Sequence, residues 1–384
     1  MRFMRFLPCL LFLLTACGTP DFIQLPVTPG PISATGTPAL AAGINAPVVE
    51  SPSLALLYML DERDGWGITD TQVVRTDDGA VTWYDVTPSG LSTQLGYNVK
   101  PFFLDTRSGW ILLPEADYRR GTLYHTSDGG LDWQAESVPF GGGELTFLDK
   151  SNGWIMADLG AGAGSNAVAI YQSSDAGRTW TQNYINDPTQ AGASNSLPLG
   201  GLKNGLTPVD MQSAWIGGVT YAPGVVYLYQ TQDGGHSWSL QPVPIPGGYD
   251  QGEFQTPGPQ FITAQDAYLP VHISTQNGVM LAVYASHDGG ANWALTPTLI
   301  PTGGSMDFVS RNDGFVWNST AFYVTHDGAK TWTIVPPDAA FGDNFAGMDF
   351  VSAAAGLVLT NDVTGARGLY KTTDGGATWT SMAR

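Results

Sequence analysis

The sequence predicts an all-β fold, a single seven-bladed β-propeller of four-stranded antiparallel blades. Two motifs predict it, because each recurs seven times and they alternate along residues 54–384. Successive copies of the more regular motif are 39 to 58 residues apart, a period that fits one four-stranded blade. Composition agrees, since 74 of the 384 residues are Gly or Pro and only 13% are charged. Such a composition favours short strands and tight turns over helices.

The first motif, Ser/Thr-x-Asp-x-Gly-x-x-Trp, is called the box motif here and is expected to close the hairpin between the third and fourth strands of each blade. Its Asp can accept backbone N–H bonds across the turn, its Gly supplies positive φ, and its Trp buries a large apolar face. In two copies Ala80 and Ala329 replace the Gly. The seven structural Asp and Trp pairs are Asp78 and Trp83, Asp128 and Trp133, Asp175 and Trp180, Asp233 and Trp238, Asp288 and Trp293, Asp327 and Trp332, and Asp374 and Trp379.

The second motif is a Gly or Ala followed by an aromatic residue, and it is expected to close the hairpin between the first two strands. The seven copies end at Trp66, Trp110, Trp154, Trp215, Tyr268, Phe315 and Leu357. The chain therefore starts on a first strand and ends on a fourth strand, which leaves the closure of the ring open. A strand from residues 44–53 is one candidate to complete it.

Residues 1–16 are predicted to be a lipoprotein signal peptide. Arg2 and Arg5 precede the apolar run 6–14, which is too short to span a bilayer. The sequence 14–17, Leu-Thr-Ala-Cys, is similar to a lipobox, which implies cleavage before Cys17 and lipid attachment to it. The protein is therefore expected to be exported and lipid-anchored to a bacterial membrane, at the cell surface or on the periplasmic face. Secretion without a lipid is the alternative.

Residues 17–53 are predicted to be the lipidated Cys and a Pro/Gly/Thr-rich linker, and residues 54–384 the propeller. The linker has no strand or helix periodicity and contains seven prolines between residues 20 and 52. Such segments are partly extended, at about 3.1 Å per residue. Cys17 is the only Cys after cleavage, so no disulfide within the chain is expected.

Charge excludes several classes of partner. Removal of Arg2 and Arg5 leaves 14 basic residues against 34 acidic ones, a net charge of −20. Such a surface repels nucleic acids. The His and Cys residues lack zinc-ligand spacing, and the box motifs lack the acid series of an EF-hand. No cofactor and no metal are predicted, and the protein is expected to be a monomer.

The box motifs resemble the Asp-box (BNR) repeats of propeller proteins. Their alternation with Phe-x-Asp-x-x-x-Gly-Trp, at residues 103–110 and 147–154, looks most like the photosystem II assembly/stability factor family. Sialidase and xyloglucanase propellers are more distantly similar. The resemblance covers residues 54–384 and implies a propeller that serves as a scaffold for a protein complex.

The order of strands in a blade predicts a binding face. Turns between strands one and two, and between three and four, lie on one side of the disc. The remaining loops and the crossovers between blades lie on the other side, which we call the variable face. Function concentrates on irregular loops held by a rigid scaffold. The candidate binding residues are Glu115, Asp117, Tyr118, Arg119, Arg120, Tyr249, Asp250, Glu253, Phe254, His272, Asp362 and Arg367.

The sequence favours a membrane-tethered, extracytoplasmic binding or assembly propeller whose partner is a protein at a membrane surface. No catalytic residue is assigned, because the Gly-x-Ser-x-Gly elbow of hydrolases and the sialidase Phe/Tyr-Arg-Ile-Pro motif are absent. The alternative is a glycan-binding or glycoside-hydrolase-like propeller at the cell surface. It depends on two aromatic residues beside acids, Tyr118 beside Asp117 and Phe254 beside Glu253. A hydrolase would also need two carboxylates about 5–10 Å apart.

Overall fold

The computed structural model describes residues 43–91 and 94–382, and their strands form six antiparallel sheets, one of which has nine strands. Because the nine-stranded sheet holds two repeats, units 4 and 5, the strands form seven consecutive units. Unit 1 comprises β1 (Val48–Val49), β2 (Leu56–Met59), β3 (Gly65–Ile68), β4 (Val73–Thr76) and β5 (Trp83–Asp85). Unit 2 comprises β6 (Lys100–Phe103), β7 (Gly109–Pro114), β8 (Gly121–Thr126) and β9 (Gln134–Val138). Unit 3 comprises β10 (Gly143–Phe147), β11 (Gly153–Gly162), β12 (Ser165–Ser173) and β13 (Thr181–Ile185).

The remaining units follow the same plan. Unit 4 comprises β14 (Leu202–Pro208), β15 (Ala214–Val219), β16 (Leu228–Thr231) and β17 (Ser239–Leu240). The connection from unit 4 contains β18 (Glu253–Thr256). Unit 5 itself comprises β19 (Gln260–Phe261), β20 (Ala267–Thr275), β21 (Gly278–Ser286) and β22 (Ala294–Pro301). The strand β18 pairs with both β15 and β20. Unit 6 comprises β23 (Met306–Phe308), β24 (Gly314–Trp317), β25 (Phe322–Thr325) and β26 (Thr333–Val335). Unit 7 comprises β27 (Phe345–Phe350), β28 (Gly356–Asn361), β29 (Arg367–Thr372) and β30 (Thr380–Ser381).

Helix is scarce in the part of the chain that the structure describes. It is confined to two 3-10 helices of three residues each, Gly96–Asn98 and Gly342–Asn344. Within residues 43–91 and 94–382, no helix has the length and apolar character needed to cross a membrane.

The units pack in a cycle. A separate apolar core lies between each unit and the next, and the last of these cores lies between unit 7 and unit 1. In that last core, Leu57 and Trp83 of unit 1 meet Leu357 and Leu369 of unit 7. The side chain of Lys371 also donates to the carbonyl oxygen of Gly79 at 2.8 Å. Burial between sheets is therefore spread over the whole cycle, with about 25 cal/mol gained per Å² of apolar surface buried.

Closure of the cycle uses no shared strand within the described residues. The first strand of unit 1, β2, pairs with β3, and the last strand of unit 7, β30, pairs with β29. Val48–Val49 forms β1, which pairs with the outer strand β5 and does not lie between units 7 and 1. The expectation that a strand from residues 44–53 completes the ring is therefore wrong, although Val49 does pack against the core between those units. This strand lies inside the segment predicted as linker.

The box motif has the structure expected from its sequence. In unit 2, the hydroxyl of Thr126 donates to Asp128 Oδ1 at 2.9 Å and accepts the Gly130 N–H at 2.9 Å. Asp128 Oδ1 also accepts the Asp132 N–H at 3.0 Å. Ala80 and Ala329, which stand where other copies have Gly, have φ of 70° and 65°. In every box the Ser or Thr hydroxyl donates to the Asp two residues later, so the turn is held by local bonds.

The second motif lies at the closed end of the hairpin between the first two strands, as expected, and its large side chain also joins neighbouring units. Trp110 stacks on Phe147 of unit 3 with ring centroids 3.8 Å apart, and its indole N–H donates to the Ala176 carbonyl at 2.9 Å. The Gly is required by packing, because a Cβ on Gly109 would lie 2.6 Å from the ring of Phe103. The hairpin itself is closed by Asp105, whose Oδ1 accepts two backbone N–H groups at 2.7 and 2.8 Å.

Candidate functional site

Antiparallel pairing places the seven box turns at one end of the units and the variable face at the other. The connections on the variable face differ from unit to unit. Unit 2 has an irregular loop, units 3 and 5 have long hairpins, and the connection between units 4 and 5 contains the strand β18. Residues on this face therefore lie in loops, hairpins or a strand, although their sequences all resemble those of loops.

The loop 115–120 of unit 2 is the most exposed group of predicted binding residues. Glu115, Asp117, Tyr118, Arg119 and Arg120 are all exposed, and Tyr118 retains 61% of its surface. The loop is held by its own backbone, since the Glu115 N–H donates to Arg120 O at 2.9 Å. No ion pair of Arg119 or Arg120 is formed with any residue that the structure describes. The loop therefore presents two free guanidinium groups on a strongly acidic protein.

Phe254 is not a binding residue. It is fully buried, in the core between units 4 and 5. The reason is that Glu253–Thr256 is a strand, β18, so exposed and buried side chains alternate along it. Glu253 and Asp250 are exposed, whereas Tyr249 is half-buried against the same core. The expectation that Phe254 lies on the binding surface is therefore wrong, because the strand directs it into the core.

Asp362 and Arg367 are engaged in local and inter-unit structure. Asp362 accepts N–H bonds from Thr364 and Ala366 at 2.8 and 2.9 Å, so it closes its own turn. The hydroxyl of Thr364, and then these N–H groups, lower the pKa of Asp362. The Arg367 side chain is only 11% exposed, pairs with Asp70 at 2.9 Å and thereby connects unit 7 to unit 1. Arg367 is therefore unavailable to a partner without loss of this ion pair, whereas the bonds of Asp362 all fall on Oδ1.

His272 lies on β20 and is half-buried. Burial lowers its pKa to about 4, so the imidazole is neutral near neutral pH. The candidate His272 thus lies on a strand and not on an irregular loop, because β20 continues to Thr275. The Gly-rich segment 158–166 is likewise a hairpin, in which β11 and β12 pair up to Gly162 and Ser165. We call the outer part of that hairpin, residues 158–167, the unit 3 ribbon.

A group of interior ionisable residues was missed by the sequence reasoning. Burial raises the pKa of Asp307 to about 6 and that of Asp349 well above its usual range. Outside this group, desolvation also raises the pKa of Glu144 and Asp158, although both residues are exposed on the molecular surface, and the charge of Lys100 partly offsets this. One sequence signal could have identified Asp307 and Asp349. They lie opposite Phe315 and Leu357, the two copies of the second motif in which another residue replaces Trp or Tyr.

The bonds of Asp307 and Asp349 are structural. Asp307 Oδ2 accepts the Phe350 N–H at 2.8 Å, and Asp349 Oδ2 accepts the Met59 N–H at 2.6 Å. Each carboxyl therefore binds the first strand of the following unit. Among the described residues, no group of three or more His, Cys, Asp or Glu side chains is arranged to hold a metal ion.

No family model matches the chain. Among curated proteins it is similar to the photosystem II assembly lipoprotein Ycf48 of Synechococcus sp. (strain CC9902), with 22% identity over 269 residues, 62% of this chain and 73% of the relative. It is also similar to a xyloglucanase of Paenibacillus sp., with 26% identity over 177 residues, 40% of this chain but only 16% of the relative.

Solved structures agree with these similarities. A structure of Ycf48 bound to a D1 peptide matches 87% of this chain and 95% of its own length, with a TM-score of 0.52 and 17% identity. The GH74 xyloglucanase of Xanthomonas campestris matches 88% of this chain and 55% of its own length, with a TM-score of 0.59 and 12% identity. The chain therefore has the fold of the Ycf48 assembly lipoprotein and is distantly related to GH74 xyloglucanase propellers.

Proposed function

We propose that this protein is a membrane-tethered, extracytoplasmic assembly factor that binds a protein partner through its variable face. The observation that carries the proposal is the likeness, in sequence and along nearly the whole fold, to an assembly lipoprotein and to its complex with a peptide. The seven units form a closed seven-bladed propeller in this proposal, supported by the seven cores that link them in a cycle. Cys17, which lies outside the described residues, carries the lipid.

The partner contacts the loop 115–120. Two arginines without an ion pair, on a chain of net charge −18, attract an acidic segment of a protein selectively and over a distance of about 10 Å at 0.1 M salt. Arg is also the side chain best suited to bidentate binding of a carboxylate. Tyr118, with 61% of its surface exposed, adds apolar area to the same contact.

The glycan alternative has lost one of its two supporting observations. Phe254 is buried and cannot stack on a sugar ring, which leaves Tyr118 beside Asp117. The fold of the GH74 enzyme does not restore the alternative, because the matched region is 55% of that chain. Binding of a glycan is therefore an outcome of the test below and not a second proposal.

The test is capture of the partner from the host membrane. The full-length lipoprotein with a C-terminal tag is expressed in its host, the membranes are solubilised in mild detergent, and co-purifying proteins are identified and quantified. We expect a membrane protein in near-stoichiometric amount, reduced at least tenfold by the double substitution Arg119→Ala and Arg120→Ala.

A matched control removes two arginines from the opposite face. Arg107 and Arg311 are exposed and lie in turns at the box end of units 2 and 6. The double substitution Arg107→Ala and Arg311→Ala changes the net charge equally and should leave the partner in place. Equal loss in both double variants would reject the assignment of the loop. A preparation without any partner, but with a specific response on a glycan array, would replace the proposal by the glycan alternative.

A further inference from the structure

Units 3 and 5 carry matching hairpins that differ at one edge. In each, the second and third strands of the unit extend beyond the first strand towards the variable face, β11 with β12 and β20 with β21. Both hairpins end in two-residue turns, Ala163–Gly164 and Gln276–Asn277. They differ in what pairs with the inner edge, the edge on the side of the first strand.

The inner edge of the unit 5 hairpin is covered by the chain itself. The strand β18 pairs antiparallel with β20, with Glu253 opposite Ser274 and Gln255 opposite His272. Its Phe254 enters the core between units 4 and 5. Three residues of β18 pair along this edge, and the other edge of β18 pairs with β15 of unit 4.

The same edge of the unit 3 ribbon is open within the described residues. Pairing of β11 with the first strand β10 ends at Ala157, and the last backbone bond on that side runs from the Asp158 N–H to Gly142 O at 3.1 Å. Residues 160–162 pair only with β12, and residue 159 lies at a bulge in that pairing. They are exposed, and a Cβ placed on Gly160 or Gly162 would meet nothing within 4 Å.

The register shows which backbone group is presented. Asn166, opposite Ala161, directs its N–H away from β11, to Gly201 O at 3.3 Å. Ala161 and Asn166 therefore form a non-hydrogen-bonded pair, in which the backbone N–H and C=O groups of both residues point away from the partner strand. The N–H and C=O of Ala161 thus point to the open edge. An edge without Pro, Lys or a covering segment is a template for pairing with another strand.

We propose that the open edge of the unit 3 ribbon binds an extended peptide segment of a partner protein as an added antiparallel strand. The inference rests on the proposed function, that the variable face binds a protein, and it specifies how the partner is held. Pairing between backbones supplies affinity, while side-chain pockets and charges supply specificity. The Gly and Ala residues of the ribbon leave room for bulky side chains on the peptide.

Charge specifies which end of the peptide is acidic. Since β11 runs outward to Gly162, an antiparallel strand runs inward and ends near Asp158 and Gly142. There the neighbouring Gly141 lies against the loop 115–120, because its Cβ would be 2.5 Å from Tyr118 O and 2.6 Å from Arg120 O. The C-terminal end of the added strand therefore reaches the free arginines, which select an acidic residue or a terminal carboxylate.

The test uses the purified full-length lipoprotein in detergent and a synthetic probe. The probe copies residues 250–258 of this chain, which include β18, and adds two glutamates at the C-terminus. A second peptide that ends in two lysines is the matched control. Asp158 and Glu144 lie near the same end, so this peptide would bind more tightly if those acids, and not the arginines, set the charge preference. We expect saturating probe to slow amide hydrogen exchange of Ala161 at least tenfold, and the lysine peptide to bind at least tenfold more weakly.

Variants at Ala161 separate backbone pairing from side-chain contact. Ala161→Pro removes the N–H that points to the open edge and leaves the hydrogen bonds between β11 and β12 intact. Pro is tolerated on edge strands. Ala161→Ser retains the N–H. We expect Pro to weaken probe binding at least tenfold and Ser to leave it unchanged. Unslowed exchange at Ala161 in the unmodified chain would overturn the inference, and this reading does not depend on any variant folding.

Further outcomes distinguish this inference from the proposed function. If Ala161→Pro still captures the membrane partner in full while Arg119→Ala with Arg120→Ala does not, the partner binds the face without strand addition. If no partner is captured but the probe protects Ala161, the proposed function fails alone. A dimer of the unmodified chain that Ala161→Pro converts to monomer would show that the edge pairs with a second copy, and would overturn the peptide assignment.

Discussion

Two arcs of the cycle join their units with different bonds. In units 1 to 3 the second motif ends in Trp, and each indole N–H donates to a carbonyl of the next unit, Trp66 to Asp105 at 3.2 Å, Trp110 to Ala176 at 2.9 Å and Trp154 to Asp210 at 3.1 Å. In units 5 to 7 the motif ends in Tyr, Phe and Leu. There the residue opposite it on the first strand makes the bond, Gln260 with Phe308, Asp307 with Phe350, and Asp349 with Met59.

The two arcs place the bonding side chain on opposite members of the same cross-strand pair. Where the motif has Trp, the cross-strand partner in units 1 to 3 is Tyr58, Phe102 or Thr146. Where the Trp is lost, that partner is an amide or a carboxyl group. Tyr268 in unit 5 combines both, since its hydroxyl also donates to Arg311 O at 2.6 Å. In these six units a buried polar contact with the next unit is thus present in one of two forms, since an unpaired buried N–H costs free energy wherever it lies. Unit 4, where Trp215 lies opposite Thr207, is assigned to neither arc.

The largest expected effect lies in units 1 to 3, which we call the Trp arc. Trp110→Ala should lower the free energy of unfolding by about 3–5 kcal/mol, because a fully buried ring and its stacking on Phe147 are lost. Trp110→Phe keeps an aromatic ring but removes the N–H donor to Ala176, and should cost about 1–2 kcal/mol. Urea unfolding of the three proteins measures both differences. Equal stability of Trp110→Phe and the unmodified protein would remove the indole bond from the comparison.

Units 5 to 7, which we call the carboxyl arc, can be tested at the contact between unit 7 and unit 1. Asp349→Ala leaves the Met59 N–H without its acceptor and should cost about 1–3 kcal/mol. Asp349→Asn keeps an acceptor oxygen and should cost less than about 1 kcal/mol. Thr146→Ala, at the equivalent position of unit 3, is the control, because no bond of that side chain to the next unit is present among the described residues. A comparable loss in Thr146→Ala would show that the position, and not the carboxyl bond, matters.

The two arcs should also differ in their response to pH. Burial raises the pKa of Asp307 from 3.8 to about 6, although the Phe350 N–H partly offsets this. The folded state therefore binds the proton more tightly than the unfolded state, so this stabilisation is full below about pH 4 and is lost as pH rises through 6. The shift corresponds to at most about 3 kcal/mol.

Chemical unfolding between pH 4 and 7 measures this term. The unmodified protein should become less stable as pH rises through this window, and Asp307→Asn should flatten the curve. A residual slope from Asp349 is expected, because burial and the Asp307 charge raise its pKa in the same direction. Identical slopes in Asp307→Asn and the unmodified protein would contradict the assignment. Below pH 4 the box carboxyls lose their bonds and oppose this trend, since hydrogen bonds lower the pKa of Asp327 to about 2.

The smallest effects should be similar in both arcs. Asp128→Ala in unit 2 and Asp327→Ala in unit 6 each remove a turn carboxyl that bonds within its own box, at 2.9–3.0 Å in each case. Each should cost about 1 kcal/mol, with Asp327→Ala the costlier by up to about 1 kcal/mol, because its carboxyl also accepts the Thr331 hydroxyl at 2.6 Å. Thermal unfolding of the two variants measures them. A larger difference would show that the boxes are coupled to the contacts between units, and that the arcs differ in more than those contacts.

Prediction from sequence succeeded for features whose contacts are local. The box motif specified its own turn, because Thr126, Asp128 and Gly130 bond to one another. The unit boundaries followed from the repeats. The binding residues were harder to predict, since Phe254 and Arg367 have polar or aromatic neighbours in sequence that suggest a loop surface. Their burial depends on residues of other units, on the core between units 4 and 5 and on Asp70 respectively.

The sequence by itself determined that the protein is all-β, that its units repeat, and where their turns lie. Those properties follow from hydrogen bonds and backbone angles within short segments. Tertiary structure alone decided that β18 completes the edge of unit 5, that the ribbon of unit 3 keeps an open edge, and that Asp307 and Asp349 replace the lost Trp contacts. The physical reason is that each depends on which strand, from tens of residues away, supplies the missing donor or acceptor.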